Sequence, residues 1–271
     1  MPMGGTDPEV KVYACNAGSL KTETQHILKD TRIGTAMEIP IPFLVIRHAK
    51  EWIAFDTGCN GETAGDPVGY WGEDLAKKFW PVIGPDQEFT QAIRPLGLRP
   101  ADLKAVILSH GHLDHAGAIE DLRATDVPIY VQKVELAAIR EVVATQRMGT
   151  VYIPRDFRYL QELNIREVEG VFDIFGDRSV IAFPTPGHTP GHQSLYVKPS
   201  VGNAFIYAAD ALYTLESMEK SIPPALAADY PATMQNVHWL KLEDLAGVTV
   251  VPSHDPEYWS RRAWAPAELV P

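Results

Sequence analysis

Five short apolar runs in this chain each stop at an aspartate or lead into a loop that carries a histidine, and this repeated stop constrains the fold most strongly. WIAF (52–55) meets Asp56, AVIL (105–108) meets Ser109-His110, and VIAF (180–183) leads through PTPG to His188. AFIYAA (204–209) ends at Asp210, and VTVV (248–251) leads through Pro252-Ser253 to His254. Runs this short, rich in β-branched and aromatic residues, predict strands buried on both faces. Between them, AGAIEDLRA (116–124), KVELAAIREVVAT (133–145) and ATMQNVHWLKLEDLA (232–246) predict helices. Buried strands with amphipathic helices between them predict an α/β layered fold. A rigid sheet can aim the groups at its strand ends at one point, so chemistry is expected there.

The densest of these ends is SHGHLDHAGAI (109–119), which places His110, His112, Asp114 and His115 within six positions. His110 and His112 are two apart on a non-helical segment and can project the same way, while Asp114 and His115 continue the turn. Nitrogen and oxygen donors without thiolate suit zinc or a similar divalent ion. With His188, Asp210 and His254 the set reaches five histidines and two aspartates. A tetrahedral zinc site takes three or four protein ligands, so this set is enough for two ions, with Asp210 the best candidate for a shared carboxylate. His192, in PGHTPGHQS, reads as a residue that supports a ligand rather than as one itself. Asp56 can orient a ligand histidine or make a turn. His26, His48 and His238 fall outside the pattern and read as ordinary histidines.

The formal charge is −11, and no Lys/Arg cluster offers a track for phosphates, which argues against a nucleic-acid partner. No stretch of about 18 apolar residues suggests a membrane span, and MPMGGTDPEVKVYACNAG lacks a basic start followed by an apolar run. The two cysteines, Cys15 and Cys59, lack CxxC spacing; a disulfide between them is open, but two free thiols of a reducing cytoplasm is the simpler reading. A chain of 271 residues can bury a large core. We expect one domain over 1–271, with insertions near 60–90 and 140–175.

HxHxDH at 110–115, the later PGHTPGH, an aspartate closing a strand and a final Ser-His-Asp together resemble the metallo-β-lactamase superfamily, from about Val10 to Trp259. The resemblance implies a four-layer αβ/βα sandwich with a dinuclear site at one edge. It assigns His110, His112 and His188 to the first metal, Asp114, His115 and His254 to the second, and Asp210 to the bridge between them.

Within that superfamily, ADALYT (209–214) is similar to the D-A-x-Y-T stretch of N-acyl-homoserine lactonases, the quorum-quenching enzymes. IPIPFLVI (39–46), DPVGYWG (66–72) and PGHTPGHQS (186–194) agree with the same family, and the match departs at ESMEKSIPPALAADY (216–230). The resemblance implies a zinc-dependent lactone hydrolase in which Tyr213 assists catalysis, and it favours a homodimer. Five neutral histidines and two aspartates leave two divalent cations net positive even with a hydroxide added, which suits a tetrahedral oxyanion. The expected reaction is hydroxide attack on the lactone carbonyl, with Tyr213 polarising the oxygen and Asp114 passing a proton to the departing alkoxide. Tyr70, Trp71, Phe79 and Trp80, in GYWGEDLAKKFWPVIG (69–84), are candidates for an apolar substrate wall or a subunit contact, core packing being the other reading.

Rival activities are a lactonase for another ring, such as 4-pyridoxolactone or γ-butyrolactone, and a glyoxalase II-like thioesterase. The thioesterase should supply basic residues for an anionic substrate, and beyond Arg261-Arg262 the C-terminal region has no cluster of them. A β-lactamase proper lacks the bridging aspartate, a nuclease wants a basic surface, and a scaffold without activity would have lost ligands.

Overall fold

The computed structural model describes residues 8–147 and 150–271. Residues 1–7 of the stretch read for a leader, and positions 148–149 of the span 140–175, lie outside the described residues. In chain order the strands are β1 (Val10–Glu23), β2 (Ala36–His48), β3 (Glu51–Phe55), β4 (Trp80–Val82), β5 (Ala105–Ile107), β6 (Ile129–Gln132) and β7 (Ile165–Val168), then β8 (Phe172–Asp173), β9 (Val180–Pro184), β10 (Gln193–Val197), β11 (Phe205–Tyr207) and β12 (Thr249–Val251). The helices are α1 (Pro67–Trp71), α2 (Glu73–Lys78), α3 (Phe89–Ala92), α4 (Lys133–Thr145), α5 (Leu215–Lys220), α6 (Tyr230–Leu245) and α7 (Pro256–Ser260). They frame a seven-stranded sheet, ordered β4-β1-β2-β3-β5-β6-β7, and a five-stranded sheet, ordered β12-β11-β10-β9-β8.

Alternation along the strands explains why two sheets stack with helices outside them. In β2, Leu44 and Ile46 enter the core between the sheets, while Phe43 and Val45 enter the core under the outer helices. Ile53 and Phe55 of β3 divide from Ala54 in the same way, and Phe205 and Tyr207 of β11 divide from Ile206. Successive side chains point to opposite faces, so a strand apolar at every position must be covered on both. Each large side chain so buried contributes about 1.5–3 kcal/mol relative to exposure. Ile206 and Val250 meet Val237 and Leu240 of α6, which closes the fourth layer.

The topology also fixes where the strand ends go. β3 runs parallel to β5, and β11 runs parallel to β12. β9 is antiparallel to β10, and β10 to β11, so β9 points the same way as β11. The five runs singled out in the sequence therefore finish at one edge of the sandwich in two groups, one from each sheet.

One expectation changes, and two spans gain detail. Over 116–124 only a short 3-10 turn forms, at Ile119–Leu122. There the His115 carbonyl accepts from the Thr57 N–H and the Gly117 carbonyl from the Asn60 side chain, so neither is left for a helical ladder. The span 140–175 contains more than an insertion, because β7 and β8 within it each add an edge strand to a sheet. In the span 60–90, α1, α2 and β4 form, and β4 pairs with β1 through Ser19↔Val82.

Candidate metal centre

The loops at this edge are anchored before any ligand is considered. Asp56, at the end of β3, adopts a left-handed φ of 71°, and its carboxylate accepts from the Ser109 N–H (2.6 Å) and hydroxyl (2.8 Å). That ties the end of β3 to the start of the HxHxDH loop. The loop of His188 is held by α6 and the segment before it: the Asp229 N–H donates to the Gly187 carbonyl, and the Ala228 N–H to that of His188. The Ser253 and His254 N–H groups donate to the carbonyls of Leu212 and Tyr213, which pairs the last ligand loop with the stretch after Asp210. Trp259 of α7 caps the arrangement, its indole N–H donating to Pro252 and Ser253 carbonyls. Ala209, just before Asp210, is also left-handed (φ 45°), a conformation costing roughly 1–2 kcal/mol that the surrounding packing must sustain.

Seven side chains converge as two buried clusters: His110, His112, His188 and Asp210, and Asp114, His115 and His254. The Asp210 carboxylate lies between them. Its Oδ2 is 3.2 Å from His188 Nε2 and 3.6 Å from His110 Nε2, whereas its Oδ1 is 3.2 Å from His115 Nε2 and 3.1 Å from His254 Nε2. Asp114 Oδ2 approaches His254 Nε2 at 3.4 Å.

The outward nitrogens decide how the inward ones can behave. Nδ1 of His188 faces the Leu226 carbonyl at 3.0 Å and Nδ1 of His254 faces the Pro40 carbonyl at 2.9 Å, so both must carry a proton there. His115 Nδ1 donates to Asp56 Oδ2 at 2.9 Å, and His110 Nδ1 meets the Ser109 hydroxyl at 2.9 Å. In a neutral ring the inward nitrogen is then a bare lone pair. His188 Nε2 nevertheless sits 3.2 Å from His110 Nε2 and 2.9 Å from His112 Nδ1. Among the described residues, His115 Nε2 and Asp210 Oδ1 are buried without a partner in hydrogen-bond geometry. The lone pairs of His188 and His110, crowded this way, repel one another unless a cation lies among them. Zinc–nitrogen bonds of about 2.0–2.1 Å give tetrahedral edges of about 3.3 Å, the separation these donors show. The residues fit a pair of metal ions, and this edge of the sandwich is a dinuclear metal-binding site.

The electrostatics divide along the same line. Burial, reinforced by neighbouring histidines, pushes His110 and His112 well below the usual histidine range. Burial also pulls on His115 and His254, but Asp210 and Asp114 outweigh it, with Asp56 adding to the effect on His115, so both rise. Burial alone would raise Asp210, yet His115, His254 and His188 hold it well below the carboxylate range. Burial and the nearby Asp210 and Asp114 carboxylates push the Tyr213 phenol up, so it keeps its proton as a donor.

His192 stands behind the cluster. Its Nε2 accepts from the Asp210 N–H (3.1 Å) and its Nδ1 meets Thr185 Oγ1 (2.8 Å), which leaves no lone pair for a metal. Burial pushes it down to about 3.

A cavity enclosing roughly 350 Å³, open solvent at its mouth included, adjoins the centre. His112, Asp114, Asp210, Tyr213 and His254 form its polar end, and Leu20, Ile27, Ile39, Phe79, Val151 and Leu226 line the rest. Of the aromatic stretch 69–84, Phe79 alone reaches this wall. Tyr70 and Trp71 are buried in the core under the first sheet, where the Tyr70 hydroxyl donates to Asp156, and Trp80 is exposed on β4. Helix periodicity turns Tyr70 and Trp71 inward on α1, so core packing wins for them. His26, read as ordinary, lines the cavity beside Phe79, their rings 5.9 Å apart. Leu226 comes from the segment 216–230, and its sequence context carries no signal of this role.

The metallo-β-lactamase superfamily model matches residues 39–254. The N-acyl homoserine lactonase AttM of Azorhizobium caulinodans is 34% identical over 264 residues, which span 95% of this chain and 98% of that protein. The AttM of Agrobacterium fabrum is 34% identical over 263 residues with the same coverage. Among solved structures, an N-acyl homoserine lactone hydrolase with the product N-hexanoyl-L-homoserine bound at its catalytic metal centre superposes with a TM-score of 0.84 at 23% identity, covering 97% of this chain and 100% of that one. AidC, a dizinc quorum-quenching lactonase, superposes with a TM-score of 0.70 at 16% identity, over 97% and 94% of the two chains. The two superpositions bear on the fold, the two sequence relatives on descent. With the seven donors gathered at the edge of the sandwich, the chain belongs to the metallo-β-lactamase superfamily, in the family of the N-acyl homoserine lactonases.

Proposed function

We propose that this protein opens the lactone ring of N-acyl homoserine lactones by hydrolysis, using two zinc ions. The observation that carries the reading is the cavity, in which one polar end with Asp114, Asp210 and Tyr213 continues into an apolar wall suited to an acyl chain. Descent from the same family as the AttM lactonases supports it. His110, His112 and His188 would hold one ion and Asp114, His115 and His254 the other, with Asp210 placed between the two sets. The histidine and carboxylate donors, without thiolate, suit zinc. When bound, the ion pair supplies Lewis acidity and a water acidic enough to ionise near neutral pH.

The chain's own groups do the rest. The Tyr213 O–H donates to the carbonyl oxygen as negative charge gathers there. Water adds to the carbonyl carbon and gives up a proton to Asp114, the ring C–O bond breaks, and Asp114 passes that proton to the departing ring oxygen. The product is the open N-acyl homoserine. Asp56 and His192 keep His115 and Asp210 from turning while this happens.

Acid release at neutral pH by the zinc-loaded protein tests the reading, across acyl-homoserine lactones of short and long chain, γ-butyrolactone, 4-pyridoxolactone and a glutathione thioester. Fast turnover of the acyl-homoserine lactones above the rest is expected. Turnover confined to any of the other substrates overturns the assignment.

A further inference from the structure

Glu135 is a fully buried acid on the third position of α4, at the heart of the molecule, and the chemistry outlined above does not use it. Its carboxylate collects four donors. Oε1 accepts from the Gly111 N–H (2.8 Å) and the Tyr152 hydroxyl (2.7 Å), and Oε2 accepts from the Thr189 hydroxyl (2.7 Å) and the Gly191 N–H (3.0 Å). A carboxylate accepts about four hydrogen bonds, so this one is saturated.

The partners are not scattered. Gly111 lies between His110 and His112, on the loop that leaves the first sheet after β5. Thr189 and Gly191 flank the far side of His188, on the loop that joins β9 to β10 in the second sheet. The Tyr152 ring stands edge-on to the His112 ring, centroids 4.6 Å apart at 83°. One oxygen therefore grips the loop of two histidines, and the other grips the loop of the third. Both glycines are required for the approach: a Cβ on Gly191 would sit 2.2 Å from the Glu135 nitrogen, and one on Gly111 would sit 2.8 Å from Ile139 and Tyr152 side-chain atoms.

We propose that Glu135 is the positioning residue of the three-histidine half of the centre, fixing the separation of His110 and His112 from His188 by bracing one loop against the other. This rests on reading those three histidines as ligands of one ion. Groups behind metal ligands commonly govern affinity by about 10–100-fold, and here the brace acts on the loops that bring three ligands from two sheets together.

The test is metal content and affinity of the purified zinc protein, measured by chelator competition, with unfolding followed in parallel. Glu135→Gln keeps the volume but cannot accept on its NH₂ side, so one loop loses its partners. Its expected effect is one ion bound about 10–100-fold more weakly, with the other ion unchanged. Thr189→Val and Tyr152→Phe each remove a single donor and should weaken the same ion by a smaller factor; they decide the matter where Glu135→Gln does not fold. A merely structural glutamate would lower the unfolding temperature and leave both affinities alike, and two ions held at wild-type affinity in these variants overturn the proposal. His188→Ala separates the two claims. It should lose the ion that Glu135→Gln weakens, and if it keeps both ions the ligand reading fails and the proposal with it.

Discussion

The two halves of the centre share Asp210 and differ in almost everything else. The first half is three imidazoles drawn from both sheets, His110 and His112 after β5 and His188 after β9. The second gathers Asp114, His115 and His254, so it has a carboxylate of its own. Burial dominates the first, where it pushes His110 and His112 down. Carboxylates dominate the second, where they raise His115 and His254 despite burial. The support differs as well. In the second half Asp56 bonds the ligand ring of His115 itself, whereas in the first His110 leans on Ser109 and His188 on a main-chain carbonyl. Neighbours in HxHxDH thus fall in different clusters, and closeness in sequence says little about which cluster a residue joins.

The largest effect should follow from removing what the halves share. Asp210→Asn leaves one oxygen where both halves need one each, so metal analysis should show loss of ions from both. Lactone turnover should fall by at least ~10³-fold, about 4 kcal/mol of transition-state stabilisation. Retention of two ions per chain with near-normal turnover would break the picture of a bridge.

Removing one ligand from each side sharpens the contrast. His188→Ala and His254→Ala should each bind one ion instead of two, and their double variant should bind none tightly. If either single variant loses both ions together, the halves are not separable units and the comparison falls.

Tyr213→Phe should leave both halves loaded and slow turnover by about 10- to 100-fold, about 1.4–2.7 kcal/mol. The phenol lies over the boundary between them, its ring centroid 5.5 Å from those of both His188 and His254. Steady-state rates beside metal content check this, and full activity removes Tyr213 from the chemistry.

Asp56→Asn should act least, and unevenly. It strikes the second half directly through His115 and reaches the first only through Ser109. About a tenfold weaker hold on the second ion is expected, with a smaller change at the first. Chelator titration that finds the first ion weakened more would reverse the assignment of support.

Much of this was legible in the chain. The strands begin and end within a residue or two of the runs WIAF, AVIL, VIAF, AFIYAA and VTVV, and α4 spans the residues read as helical, because alternation and helical period are local properties. Glu135 left a trace that a helical reading could have used: it lies on the same stripe of α4 as the buried Leu136 and Ile139, where an acid needs donors. Leu20, Ile27 and Leu226 left none, since each is an ordinary apolar residue until distant segments bring it to one wall. Tyr70 and Trp71 misled because an aromatic in a turn-rich stretch looks the same facing a ligand or a core.

By itself the sequence determined the five strands that end at the site, the layered class and the seven donors, since each follows from residue types at short, regular spacing. Only the tertiary structure decided that one carboxylate braces two loops and which apolar side chains face the cavity. Those outcomes depend on how two sheets meet at one edge, and contacts between residues far apart in the chain have no period for a sequence to carry.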